Sequence, residues 1–93
     1  MIEVGSVVEL ENLKKYMITA SSIENSKVYY LALEVDYDTL EPKEESLFFE
    51  ETEEGLLPIT SERDIYFLRT IFVDNFIKET LNEIEEENVE ETV

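Results

Sequence analysis

A period of two runs through residues 27 to 37. In "KVYYLALEVDY", Tyr29, Leu31, Leu33, Val35 and Tyr37 fall on one side of an extended chain. Val28, Tyr30, Ala32, Glu34 and Asp36 fall on the other side, which turns acidic toward its end. The pattern predicts a strand whose Tyr29–Tyr37 face is the buried centre of a sheet, and a truncation such as Leu31→Ala is expected to cost what core truncations cost. Upstream, "SVVEL" after Gly5 and "KKYMITA" carry the β-branched, aromatic and apolar residues that suit half-buried strands, with a turn near Asn12. The polar "SSIENS" predicts a second turn. Downstream, "DTLEPKEES" contains Pro42 and charge and predicts a connection, while "SLFFEE" predicts a fourth strand. The acidic "EETEEG" predicts a hairpin turn, with Gly55 supplying backbone freedom and the glutamates forming a solvated tip beside a sheet edge. Pro58 cannot donate to a ladder, so "LLPI" belongs at an edge or at the end of its strand.

The period then changes. "TSERD" is a helix start: Ser61 can cap, and Glu62 and Asp64 suit the positive end of the helix dipole. Ile65, Leu68, Ile71, Phe72 and Phe76 keep helical spacing on one face. "IYFLRTIFV" is also rich in strand formers, but the cap and the absence of Gly and Pro after residue 59 favour helix. A second stripe, Val73, Ile77, Leu81 and Ile84, lies a quarter to a half turn around, at about 100° per residue. Either one helix carries two apolar faces, or the chain bends near "VDN" and Asp74 caps a second helix. The final "EEENVEETV" has no periodicity and is expected to fray or be disordered.

Short polar turns between consecutive strands make antiparallel neighbours, since parallel crossovers need about a dozen residues or more. The fold class expected is therefore α+β: an antiparallel β-meander of about five strands with the C-terminal helical segment packed on one face. Residues 1–84 form the single domain, and 85–93 an acidic tail.

Composition narrows the chemistry. The 93 residues, 43% of them hydrophobic, suffice for one modest core. The formal net charge of −17 repels nucleic acid and anionic membrane and favours basic protein surfaces or divalent ions. No stretch reaches the roughly 20 apolar residues of a membrane span, and "MIEVGSVVEL" lacks the pattern of a secretion signal, so a cytoplasmic protein is expected. Cysteine and histidine are absent, which removes thiolate sites, the commonest general base and the commonest metal ligand. "DYDTLE" (Asp36, Asp38, Glu41) begins like a calcium loop, but Leu40, Glu41 and Leu47 stand where a ligand, a glycine and a bidentate glutamate are needed. Glu44, Glu45, Glu50, Glu51, Glu53 and Glu54 offer many carboxylate pairs, yet they fall in predicted turns and on open faces, where nothing raises a pKa. Tyr29, Tyr30, Tyr37, Phe48 and Phe49 could stack bases, but only Lys14, Lys15 and Lys27 are near enough to line a basic groove. No catalytic residue, metal ligand or cofactor is expected.

The order "KKYMI", "VYYLALEVD", "SLFFEE", "EEGLLPITSERD" and a short apolar helix resembles a family of small acidic Firmicutes proteins of unknown function. Tyr30 to Leu33 and Leu56 to Ile59 carry the similarity, over about residues 14–76. The resemblance implies the same fold and a bacterial origin, and it implies no activity. The function expected is a non-catalytic acidic module that binds a protein, either a basic surface or a second copy. The other class allowed is a nucleic-acid mimic that fills the basic groove of a DNA- or RNA-binding protein. The candidate interaction residues are Val73, Ile77, Leu81 and Ile84. They either fold back onto the core, make a homodimer contact or enter a groove on a different protein, because a row of exposed aliphatics is unusual on a monomer.

Overall fold

The computed structural model describes the backbone of residues 1–91 and the side chains of residues 1–83. Five strands, β1 (Val7–Glu9), β2 (Lys15–Glu24), β3 (Lys27–Val35), β4 (Pro42–Thr52) and β5 (Gly55–Pro58), precede one helix, α1 (Glu62–Glu91). The strands form a single antiparallel sheet in the order β1-β2-β3-β4-β5. The fold is the α+β meander with its helix on one face.

Local chemistry accounts for the turns. Asn25 and Ser26 both have positive φ (51° and 65°), the geometry of a two-residue hairpin whose twist matches its strands. The segment "SSIENS" is therefore mostly strand: β2 runs to Glu24 and only Asn25 and Ser26 turn. The β4–β5 hairpin closes at Thr52 and Gly55, whose φ is 122°, and the Thr52 hydroxyl donates to the Gly55 carbonyl at 2.8 Å. β4 begins at Pro42, inside the stretch expected to be a connection, because Pro42 already pairs with Val35. Ser61 caps α1: its Oγ accepts from the Asp64 N–H at 3.5 Å, and its carbonyl accepts from Ile65 at 2.9 Å.

The buried centre of the sheet is the face opposite to the one the β3 alternation indicated. Tyr30 and Ala32 are fully buried together with Tyr16, Ile18 and Phe49, and Val8, Leu10, Val28, Leu47 and Leu56 pack around them. This cluster draws side chains from all five strands with no helix over it, so the sheet must curl around its own inner face. The two edges consequently approach, and Glu9–Glu11 at the end of β1 share a cleft of about 470 Å³ with Gly55–Pro58 of β5. Tyr16 and Phe49 meet edge to face at 5.3 Å, and the N-terminal segment closes the open side. There the Tyr30 hydroxyl accepts from the Ile2 N–H at 2.9 Å and donates to Glu51 Oε1 at 3.2 Å. Burial pushes the Tyr30 pKa up, with the Glu51 charge adding to it.

Of the expected core face, Tyr29, Leu31 and Leu33 are only half-buried and Tyr37 is exposed, while Val35 is buried beside a register shift in β3–β4. Tyr29 and Leu31 contribute to a second, smaller cluster, in which Phe48, Leu68 and Phe72 are buried and Ile59 and Ile65 pack alongside. Residue type alone does not separate the two faces, because both carry apolar residues. Curvature separates them: the inner face is enclosed on all sides, whereas one helix covers only a strip of the outer face. A bulge at Thr19 (Ile18 pairs with Ala32, Ala20 with Leu31) moves the later residues of β2 to the opposite faces, which brings Ala20 under the helix.

Ile18→Ala and Phe49→Ala are expected to cost about 2–5 kcal/mol each in urea unfolding. Leu31→Ala should lose less than half as much, and Glu53→Ala about half a kcal/mol or less. Equal losses at Leu31 and Ile18 would mean that the outer face is as enclosed as the inner one.

Candidate interaction site

α1 is continuous through "VDN", so the two apolar stripes are two faces of one helix and Asp74 caps nothing. Its 30 residues make it about 45 Å long, longer than the strip of sheet it lies on. Leu68 and Phe72 are buried against Phe48, with the Phe48 and Phe72 rings 5.3 Å apart. Asn75 reaches Ser22 at 3.5 Å. Phe76, expected on the core stripe, is 70% exposed: it stands at the rim of the helix–sheet contact, bordering one groove with Val4, Ala20 and Ser21 and another with Leu31 and Phe48.

The second stripe does not fold back onto the core. Val73, Ile77 and Leu81 are 52%, 48% and 52% exposed; Val73 lies at the flank of α1, bordering a groove with Leu31 and Phe48, and Ile77 and Leu81 lie further around, away from the sheet. The side chain of Ile84 lies outside the described residues. The helix continues to Glu91 where a fraying tail was expected from residue 85, and Thr92 and Val93 lie outside the described residues. Tyr66 and Phe67 are exposed as well, so the first four turns of α1 present large apolar side chains on nearly every face. A furrow of about 370 Å³ runs along its back, lined by Tyr66, Arg69, Thr70, Val73, Asp74 and Ile77. Charge is uneven along the helix. Glu62, Asp64 and Asp74 are balanced by Arg63, Arg69 and Lys78, whereas from Glu79 to Glu91 every charged residue is a glutamate. Asp74 and Lys78 pair at 3.0 Å, one turn apart.

The other chemistry-bearing residues are dispersed. The aromatic set divides, with Tyr30 and Phe49 inside, Phe48 under the helix and Tyr37 exposed beneath the Lys15 ammonium at 4.1 Å. Asp36 spends one carboxylate oxygen on its own loop, accepting from the N–H groups of Asp38 (3.0 Å) and Thr39 (2.9 Å). Those bonds, Thr39's foremost, hold the Asp36 pKa below the ordinary aspartate range. Glu50 pairs with Lys27 at 3.7 Å, and Glu51 is taken up by Tyr30. Among the described residues, no group of three or more acidic side chains is arranged to hold a metal. No helix among them is long and apolar enough to cross a membrane.

Sequence reasoning missed Glu34, which it placed on the side of the strand away from the expected core. The side chain is 8% exposed, on the enclosed face beside Tyr16, with Lys43 Nζ at 3.3 Å and Lys14 Nζ at 3.8 Å. Lys43 reaches it because β4 bulges opposite: Leu33 pairs with Ser46 but Val35 already with Pro42. An acidic residue still inside the most regular strand, in line with Val28, Tyr30 and Ala32, was the available signal, since such a group must find partners if buried.

Compared with protein-family models, with curated proteins and with solved structures, the chain matches none.

Removing Lys43 leaves the buried Glu34 carboxylate with only Lys14, at 3.8 Å, to offset its charge. Lys43→Ala is expected to lower stability by about 1–3 kcal/mol in urea unfolding, and Glu34→Ala by less, because the lysines it leaves behind are half-exposed. Millimolar calcium or zinc should raise the melting temperature no more than magnesium at equal ionic strength. A saturable shift specific to either ion would establish a site that the described carboxylates do not form.

Proposed function

We propose that this protein is a non-catalytic binding module whose docking element is the back of α1. The observation that carries the reading is the row Val73, Ile77 and Leu81, which stays in solvent although the fold already has its helix–sheet contact through Ile65, Leu68 and Phe72. Exposed aliphatics in a continuous row are costly to leave wet and typically mark a contact surface. The furrow beside them gives that surface relief, and its rim carries Arg69 and Asp74 as orienting charges. The acidic remainder of the chain keeps such a surface soluble and disfavours anionic ligands. A helix that offers exposed apolar side chains to a protein groove or to another helix is a recurring recognition mode, and it needs no chemistry from the side chains.

A photo-crosslinking amino acid placed at position 77 of the full chain is expected to give a protein adduct in cells, while the same group at position 53 gives none. Equal adduct yields at the two positions, or none at 77, would overturn the reading. Adducts formed only from the acidic turn, with DNA- or RNA-binding proteins and lost at high salt, would instead identify a nucleic-acid mimic.

A further inference from the structure

The spacing on the back of α1 is finer than a generic apolar stripe. Tyr66, Thr70, Val73, Ile77 and Thr80 alternate at four and three residues, the heptad repeat of a two-stranded coiled coil, with Leu81 beside them. The furrow has the matching shape. Tyr66, Arg69, Thr70 and Val73 form one four-residue socket of the kind that receives a coiled-coil knob, and Thr70, Val73, Asp74 and Ile77 form the next. The two sockets together account for the whole lining. Leu68 and Phe72, which hold α1 to the sheet, lie on the opposite side, while Arg69 and Val73 at one flank of the furrow also border a groove with Thr19, Leu31 and Phe48.

Resting on the binding-module reading, we infer that the occupant is α1 of a second copy of this chain, running antiparallel about a two-fold axis near Asn75. In that single register Val73 of each copy lies against Ile77 of the other, Phe67 against Leu81, and Phe76 against itself. Each of these side chains is exposed in the single chain. The same register sets Arg69 opposite Glu83 of the other copy, twice by symmetry. Arg69 has no carboxylate within salt-bridge distance among the described residues, and it rims the first socket. An isologous contact requires a surface complementary to itself, and this helix is complementary in both shape and charge. A parallel pair would instead bring the glutamates from residue 79 onward alongside their own copies. The unfavourable contact in the antiparallel pair is Asp74 against Asp74 near the axis, where each carboxylate is already neutralised by its own Lys78. Two chains of formal charge −17 repel each other at long range, so pairing strengthens as salt screens that repulsion.

Sedimentation of the full-length protein, with circular dichroism to monitor folding, tests the register. The wild type should dimerise, and more strongly at high salt. Ile77→Glu should stay folded and weaken the dimer by about 30-fold or more, the loss expected of a central anchor. Arg69→Glu and Glu83→Arg should each weaken it by about tenfold, and an equimolar mixture of the two variants should regain the wild-type affinity as a heterodimer. Glu83→Arg discriminates sharply, because it lowers the net negative charge and would strengthen any association limited by general repulsion. A wild-type monomer at all salt concentrations, or a mixture no tighter than its components, overturns the self-pairing. If Ile77→Glu is folded in that case, the face remains available to a different protein. If Ile77→Glu unfolds, the stripe belongs to the core and the binding-module reading fails with it.

Discussion

Enclosure of the inner sheet face around Tyr30 is the constraint on which the rest of the molecule depends. A five-stranded sheet has two faces to bury, and this chain has one helix with which to do it. The inner face is closed by curvature: Tyr16, Ile18, Tyr30, Ala32 and Phe49 touch one another across the curl, and Ile2 is fastened over them through the Tyr30 hydroxyl. A buried phenol needs a partner for its polar end, and here it has two, Ile2 and Glu51. The Ile2 bond, together with the Gly5 N–H donated to the Ile18 carbonyl at 2.7 Å, fixes the N-terminal segment against the sheet.

With the inner face closed in this way, α1 is released from most of the structural duty a lone helix usually carries. It seals Phe48 and the half-buried Tyr29 and Leu31 with three of its residues, Ile65, Leu68 and Phe72. The remainder of a helix about 45 Å long is left with its own apolar side chains in water. Large aliphatic and aromatic groups on a helix that the fold does not need for stability are difficult to explain without something to cover them. Electrostatics works in the same direction. Most of the negative charge sits in turns, on β4 and after residue 78, and leaves the furrow-bearing half of α1 nearly neutral. An apolar contact can form there without desolvating many carboxylates.

Glu34 shows how a polar group is accommodated in such a core. Two lysines approach it from β4 and from the turn before β2, and both retain half their surface in water. The charge is thus compensated at the mouth of the curl, where the ammonium groups stay hydrated and only the carboxylate bears the burial. Among the described residues no buried side-chain polar atom lacks a hydrogen bond, in keeping with a closed and specific core.

Much of this was determined by the sequence alone. The period of two in "KVYYLALEV", the glycine at position 55, the proline at 58 and the Ser61 cap each act within a few residues, so strand, turn, edge and helix start follow from local sterics and hydrogen bonding. The antiparallel order follows as well, because the turns are too short for any other connection. Which face of β3 is buried was decided only by the tertiary structure. Tyr29 and Tyr30, or Leu31 and Ala32, are equally suited to an interior, and it is the curl of the sheet, assisted by the Thr19 bulge, that enclosed the even-numbered set. The same holds for α1. Helical periodicity placed Phe76 with Leu68 and Phe72, but periodicity has no knowledge of where the sheet ends. Phe76 is exposed at the rim of the helix–sheet contact, and Ile77 and Leu81 because they lie around the helix from it; how much of α1 the sheet covers is a matter of the relative dimensions of two elements far apart in the chain.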